Sequence, residues 1–129
     1  RVPEDEGLLE QAAAEGSGFI AFSPLAQGLL TDRYLKGIPE DSRAAKDFSL
    51  KKDTITTDLL DRLGKLDRMA AERGQSLAQM ALAWVLKDNK VTSVIVGASS
   101  IGQMDDSMKA IENTSFSDEE LAIINELTR

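Results

Sequence analysis

Residues 91–100, Val91-Thr92-Ser93-Val94-Ile95-Val96-Gly97-Ala98-Ser99-Ser100, read as a short apolar strand running into a glycine- and serine-rich turn. Val, Ile and Thr favour such a strand because their branched side chains pack well on a pleated surface. Beyond Ser100 a helix is predicted from about Ile101 to Ile111. Earlier in the chain, Phe19-Ile20-Ala21-Phe22 is a second short strand. Its unbroken apolar run predicts burial on both faces, and Ser23-Pro24 stops it. Strands alternating with helical stretches indicate a parallel α/β fold. Polar turns after both strands predict that the two lie adjacent and parallel, with Ser23 and Gly97 at the same end.

Helical patterns fill the spaces around these strands. Pro3 followed by Glu4, Asp5 and Glu6 suits a first turn, where acids complement the helix dipole. Leu8, Leu9, Ala12 and Ala13 continue at helical spacing until Gly16 and Gly18. From Leu25 to about Thr57 the chain is polar and irregular, punctuated by Gly28, Gly37 and Pro39, and reads as a long loop. Thr57 to Arg73 is an amphipathic helix with Leu59, Leu60, Leu63, Leu66, Met69 and Ala70 on one face, closed by Gly74. Ser76 opens another over Leu77–Lys87, with Met80, Ala81, Trp84 and Val85 inward. Ser117-Asp118-Glu119-Glu120 is a capping box for a last helix.

Composition narrows the chemistry. The formal charge of −7 opposes a nucleic-acid surface, which needs a concentrated basic face. With no Cys there is no disulfide, thiolate metal site or thiol nucleophile, and with no His the commonest general base is missing. No apolar run approaches the roughly 18 residues of a membrane span, and the first residues lack a signal-peptide core. A cytoplasmic protein is the expectation. The 129 residues are enough for one domain. Two strands, however, cannot cover themselves as a parallel sheet, and the chain opens without Met. Both features read as a single fragment, 1–129, of a longer chain.

Ligands of parallel α/β folds sit at the C-terminal ends of strands. That directs attention to Ser23-Pro24-Leu25-Ala26-Gln27-Gly28 and to Gly97-Ala98-Ser99-Ser100. A Gly/Ser turn feeding a helix offers backbone amides, hydroxyls and the positive end of the dipole to a phosphate. An ordinary strand-to-helix connection would have the same composition. Arg33 and Arg43 in the long loop are either phosphate clamps or solvated charge. Gln103, Asp106 and Ser107 share one helix face at i, i+3, i+4 spacing, and a polar solvent face accounts for them as pattern. Asp58-Asp61 and Asp105-Asp106 read as solvated helix faces rather than acid/base pairs.

The run Ile20-Ala21-Phe22-Ser23-Pro24-Leu25-Ala26-Gln27-Gly28-Leu29-Leu30-Thr31-Asp32-Arg33-Tyr34 resembles the seventh strand and following loop of aldo-keto reductases. Residues 75–86, Gln75-Ser76-Leu77-Ala78-Gln79-Met80-Ala81-Leu82-Ala83-Trp84-Val85-Leu86, resemble that family's seventh helix. Val94-Ile95-Val96-Gly97-Ala98-Ser99 followed by Gln103 resembles its eighth strand and cofactor turn. The three matches span essentially the whole chain in the family's order. They are most similar to the bacterial branch that reduces small aldehydes such as glyceraldehyde 3-phosphate, itself akin to potassium-channel β-subunits.

The resemblance implies a (β/α)8 TIM barrel of which this chain is the C-terminal portion, with the seventh and eighth strands and their flanking helices. It implies NADP as cofactor and a small carbonyl compound as substrate. Ser23, Pro24, Leu25, Ala26 and Gln27 would line the pyrophosphate and ribose, and Arg33 and Arg43 would hold the phosphates. Gly97, Ser99, Gln103, Asp106 and Ser107 would hold the adenosine half. Asp106 and Ser107 depart from the branch, which has Glu and Asn there. No residue matches the family's catalytic Asp, Tyr, Lys and His, since Tyr34 belongs to the cofactor loop. The implied partners are the rest of the barrel or a second chain, with a homo-oligomer as one form. A non-catalytic NADP-sensing or assembly module, and a packing module with inert loops, are the alternatives.

Overall fold

Helix N-termini leave amides without intrahelical partners, and in this chain hydroxyl side chains take them up at four places. In the computed structural model, which describes residues 2–31 and 55–129, Thr56, Ser76, Ser100 and Ser117 each accept a hydrogen bond from the amide three residues on. They start α3 (Thr57–Glu72), α4 (Leu77–Val85), α5 (Ile101–Met108) and α6 (Asp118–Thr128). Two short helices, α1 (Val2–Asp5) and α2 (Leu8–Ala14), precede β1 (Ile20–Phe22), and β2 (Ser93–Ile95) lies between α4 and α5. The single N-terminal helix expected from the sequence is divided at Gly7, whose φ of 73° breaks the right-handed path.

Helix ends are equally local. At the end of α3, Gly74 takes φ +70°, its amide donates to Ala71 O at 3.0 Å, and the Gln75 amide donates to Ala70 O at 2.9 Å. This paired closure satisfies two terminal carbonyls at once. The helix after Ser76 ends at Val85, shorter than the predicted Lys87. The helix after Ser100 ends at Met108 and tightens into a 3-10 turn over Lys109–Glu112.

The leucine stripe of α3 builds the core as predicted. Leu63, Leu66, Met69 and Ala70 pack on Leu77 and Met80 of α4 and Ile124 of α6, with Leu59, Leu60 and Trp84 at its margin. Shortening one of these side chains by a methyl group should be felt. Ile124→Val is expected to cost about 0.5–1.5 kcal/mol, read as a lower urea midpoint with an unchanged slope.

The two strands pair in parallel, with Ile20 opposite Ser93, Ala21 opposite Val94 and Phe22 opposite Ile95. Ser23 and Gly97 therefore leave the same end of the sheet, as the turns predicted. The ladder is shorter than the apolar run Val91–Val96 suggested. At its start the Thr92 amide donates to Phe19 O at 2.8 Å, and Thr92 Oγ1 accepts from the Phe19 amide at 3.1 Å. Gly18 permits this approach, since a Cβ there would meet Thr92 Oγ1 at 3.1 Å. Burial of β1 on both faces is corrected by the structure: Ile20 is 61% exposed and Phe22 79%. Among the described residues β1 and β2 form a two-stranded sheet, and two strands have too little neighbouring surface to cover both faces. The parallel α/β reading stands, and a pair of barrel strands with their flanking helices is consistent with part of a TIM barrel.

Candidate functional site

Immediately beyond β1 the backbone takes an unusual course. Ser23, Ala26 and Gln27 have φ of 52°, 46° and 62°, a left-handed conformation in three non-glycine residues within five positions. Each such residue costs about 1–2 kcal/mol, and sites that hold this strain are enriched in binding and catalytic loops. The turn is pinned from within. The Ala26 amide donates to Ser23 O at 3.0 Å, and the Gly28 and Leu30 amides donate to Leu25 O at 2.9 and 3.2 Å. Thr31 Oγ1 donates to Gly28 O at 2.6 Å. Ser23, Ala26 and Gln27 are exposed, while Pro24 and Leu25 are half-buried. Nothing in the composition of Ser-Pro-Leu-Ala-Gln-Gly marks this cluster of left-handed residues in advance, because only Gly28 favours the conformation intrinsically.

The second turn leaves β2 at the same edge. Gly97, Ala98, Ser99 and Ser100 are all exposed. Gln103 folds back over the turn, its Oε1 accepting from the Ser99 amide at 2.8 Å and from Ser99 Oγ at 2.9 Å. The Gln103 amide in turn donates to Ser100 Oγ at 3.3 Å. Serine hydroxyls and the N-terminus of α5 thus converge at the strand end, a setting that favours an anionic group.

The face formed by Gln103, Asp106 and Ser107 is not the uniform solvent face that the spacing suggested. Gln103 is exposed, but Asp106 and Ser107 are half-buried. Gln79 Nε2 donates to Asp106 Oδ1 at 2.7 Å and to its backbone O at 3.1 Å. Ser76 Oγ approaches Asp106 Oδ2 at 3.5 Å. Gln79 is only 8% exposed, and its Oε1 also accepts from the Ser76 amide at 3.0 Å. One carboxamide therefore completes the capping box of α4 and holds α5. Sequence reading missed this residue. The Ser-x-x-Gln spacing at 76–79 was the available signal for the cap, but no spacing signals the link to Asp106.

Of the residues expected around a dinucleotide, the structure brings the Ser23–Gln27 turn and the Gly97–Gln103 turn to one edge of the sheet. Arg33 and Arg43 lie outside the described residues. Among the described residues no group of three or more acidic side chains could hold a metal ion, and no helix is long and apolar enough to cross a membrane. An apolar cavity of about 180 Å³ lies behind Pro24 and Leu30, against Leu66, Met80, Trp84 and Ile124. Its described lining carries no charged side chain, so it does not suit a phosphate.

The chain is 50% identical over 127 residues to an L-glyceraldehyde 3-phosphate reductase of Escherichia coli O157:H7, and 47% identical to the protein of that name in strain K12. Each comparison covers 95% of this chain and 37% of the relative, so the chain spans little more than a third of their length. A rice (Oryza sativa subsp. japonica) protein named "probable voltage-gated potassium channel subunit beta" is 42% identical over 100 residues, covering 75% of this chain and 30% of its own. The model of the aldo/keto reductase family matches residues 2–129. With a match along that whole length and both strand-end turns in place, the chain belongs to the aldo/keto reductase family.

Proposed function

We propose that this chain is the nucleotide-holding portion of an NADP-dependent oxidoreductase that reduces aldehydes or ketones to alcohols, within a (β/α)8 barrel. The observation that carries the reading is the pairing of two polar turns at one end of a parallel sheet. One holds three strained left-handed residues, and the other leads into a helix N-terminus. Their chemistry fits a dinucleotide: backbone and hydroxyl groups for phosphate and ribose on one side, serine and glutamine on the other. A Cβ placed on Gly97 would meet nothing within 4 Å, which leaves space for a ligand to approach the backbone there. Bound NADPH would supply the hydride. The residues of this chain would bind and orient the cofactor.

Arg33 and Arg43 are proposed to hold its phosphates, with Arg43 on the 2′-phosphate that distinguishes NADP from NAD. Arg43→Ala is then expected to weaken NADP binding by about 1.5–3 kcal/mol, the range for hydrogen bonds to charged groups. NAD binding should change much less, and the difference should shrink as salt rises. Arg33→Ala should weaken both cofactors more evenly. Calorimetric titration of the protein and both variants with each cofactor is the measurement. Equal NADP affinity in the protein and in Arg43→Ala would make the arginine mere loop charge.

The relatives named as channel subunits favour a second reading, a nucleotide-sensing or assembly module. NADP binding without carbonyl turnover in the full-length protein would select it. The reductase reading takes a small carbonyl compound as partner, and under either reading the rest of the barrel and further copies in an oligomer are proposed. A cytoplasmic location is proposed with them.

A further inference from the structure

Resting on the nucleotide-binding reading above, we infer that Gln79 is a positioning residue for the α5 turn, and that Asp106 anchors this turn to the protein instead of touching the cofactor. The acidic residue sits on α5, which carries Gln103 in its first turn and follows Ser99, where the adenosine half is proposed to lie. Its carboxylate faces inward. Oδ1 takes the 2.7 Å bond from Gln79 Nε2, and Oδ2 is the atom nearest Ser76 Oγ at 3.5 Å. The same Nε2 reaches Asp106 O at 3.1 Å, so side chain and backbone of one α5 residue are gripped by one amide group.

That amide is itself fixed. Gln79 Oε1 accepts from the Ser76 amide, and Ser76 Oγ accepts from the Gln79 amide at 3.2 Å. The capping box leaves the carboxamide one orientation, with its NH2 directed at α5. α4 is anchored in the core through Leu77 and Met80 on either side of Gln79. The consequence is a continuous hydrogen-bonded path from the core, through Gln79 and Asp106, to α5, which has Gln103 in its first turn and Ser99 just before its cap. By contrast, α5 has no buried residue of its own. Apolar packing begins only beyond its C-terminus, at Ala110 in the following 3-10 turn, and the Gln79 clamp supplies a constraint within the helix itself. A buried hydrogen-bonded donor of this kind is costly to remove, because its partner is left without a bond.

The test uses Gln79→Met, which keeps length but removes the amide, with Asp106→Ala, Asp106→Asn and the double variant Gln79→Met/Asp106→Ala. NADP is titrated calorimetrically well below each melting temperature. Amide hydrogen exchange at residues 99–104 is measured without cofactor. Each single loss is expected to weaken NADP by roughly 3- to 10-fold, the worth of one or two hydrogen bonds, and to speed exchange across the turn. The double variant should be no weaker than either single variant, because both break one clamp. Asp106→Asn, which keeps an acceptor for Gln79, should recover most of what Asp106→Ala loses. Weaker binding in Asp106→Ala with Gln79→Met unaffected, or additive losses in the double variant, would show Asp106 on the cofactor and overturn the inference. Unchanged exchange at 99–104 in Gln79→Met would overturn the clamp itself, whether or not NADP binds. Failure of the unaltered protein to bind NADP, with exchange still speeded by Gln79→Met, would instead remove the nucleotide-binding reading and leave the clamp standing.

Discussion

Arg73→Ala is expected to lower the unfolding free energy by about 3–4 kcal/mol, the range for breaking one partner of a buried ion pair. The side chain is 6% exposed and makes a bifurcated contact with Glu120, Nη1 lying 2.8 Å from both carboxylate oxygens. Nη2 donates to Ser115 O at 2.8 Å and Nε to Gln75 Oε1 at 3.0 Å. The guanidinium also lies 3.8 Å from the centroid of the Phe116 ring. Alanine leaves the carboxylate and two carbonyls without this donor and unpins the approach to α6, whose Ile124 belongs to the core. Glu120 keeps some contact with solvent, which holds the estimate toward the lower part of the range. Arg73→Lys should recover only part of the loss, since a single ammonium cannot reach Glu120, Ser115 O and Gln75 Oε1 together as the guanidinium does. Urea unfolding of the three proteins provides the comparison, and a loss under about 1 kcal/mol for alanine would reduce Arg73 to a surface charge.

The pH dependence follows from the acid. Burial pushes the Glu120 carboxyl up, but the Arg73 hydrogen bond, the Ser117 amide and the Arg73 charge outweigh it and leave its pKa below the ordinary value. A carboxyl lowered on folding contributes stability that is present above its unfolded pKa and lost as pH falls through the folded one. The difference between wild type and Arg73→Ala should therefore be largest near neutrality and shrink at acid pH below the ordinary glutamate range.

A polypeptide of these 129 residues alone is expected to oxidise NADPH against glyceraldehyde no faster than background. The family's mechanism protonates the carbonyl oxygen through a tyrosine assisted by lysine, and the resemblance matches none of those residues here. The sequence contains no His, and its one Tyr, Tyr34, falls in the cofactor loop of the resemblance. General acid–base catalysis is worth about 10²–10⁴-fold, so a chain without it should leave turnover indistinguishable from background. Purified chain is assayed by absorbance of NADPH. Turnover by the chain alone, surviving rigorous removal of other reductases, would place a catalytic acid among residues assigned here to binding.

The sequence alone determined whatever depends on near neighbours along the chain. The Leu63–Met69 stripe, the Ser117–Glu120 capping box, Gly74 at the end of α3 and the parallel sense of β1 and β2 follow from periodicity, hydroxyl placement and element order. So does family membership, because Ser23-Pro24-Leu25-Ala26-Gln27-Gly28 and Val96-Gly97-Ala98-Ser99 are local strings. Three things were decided only in tertiary space. The exposure of Ile20 and Phe22 depends on what lies beside the sheet, and a hydrophobic run does not specify its neighbours. The left-handed path through Ser23, Ala26 and Gln27 is seen only in the folded backbone, where hydrogen bonds of the turn override the preference of each residue. The grip of Gln79 on Asp106 joins positions 27 residues apart, where no helical or strand period connects them. Such a pair depends on the burial of α4 by its leucines, since the capping box and the core together aim the amide at α5.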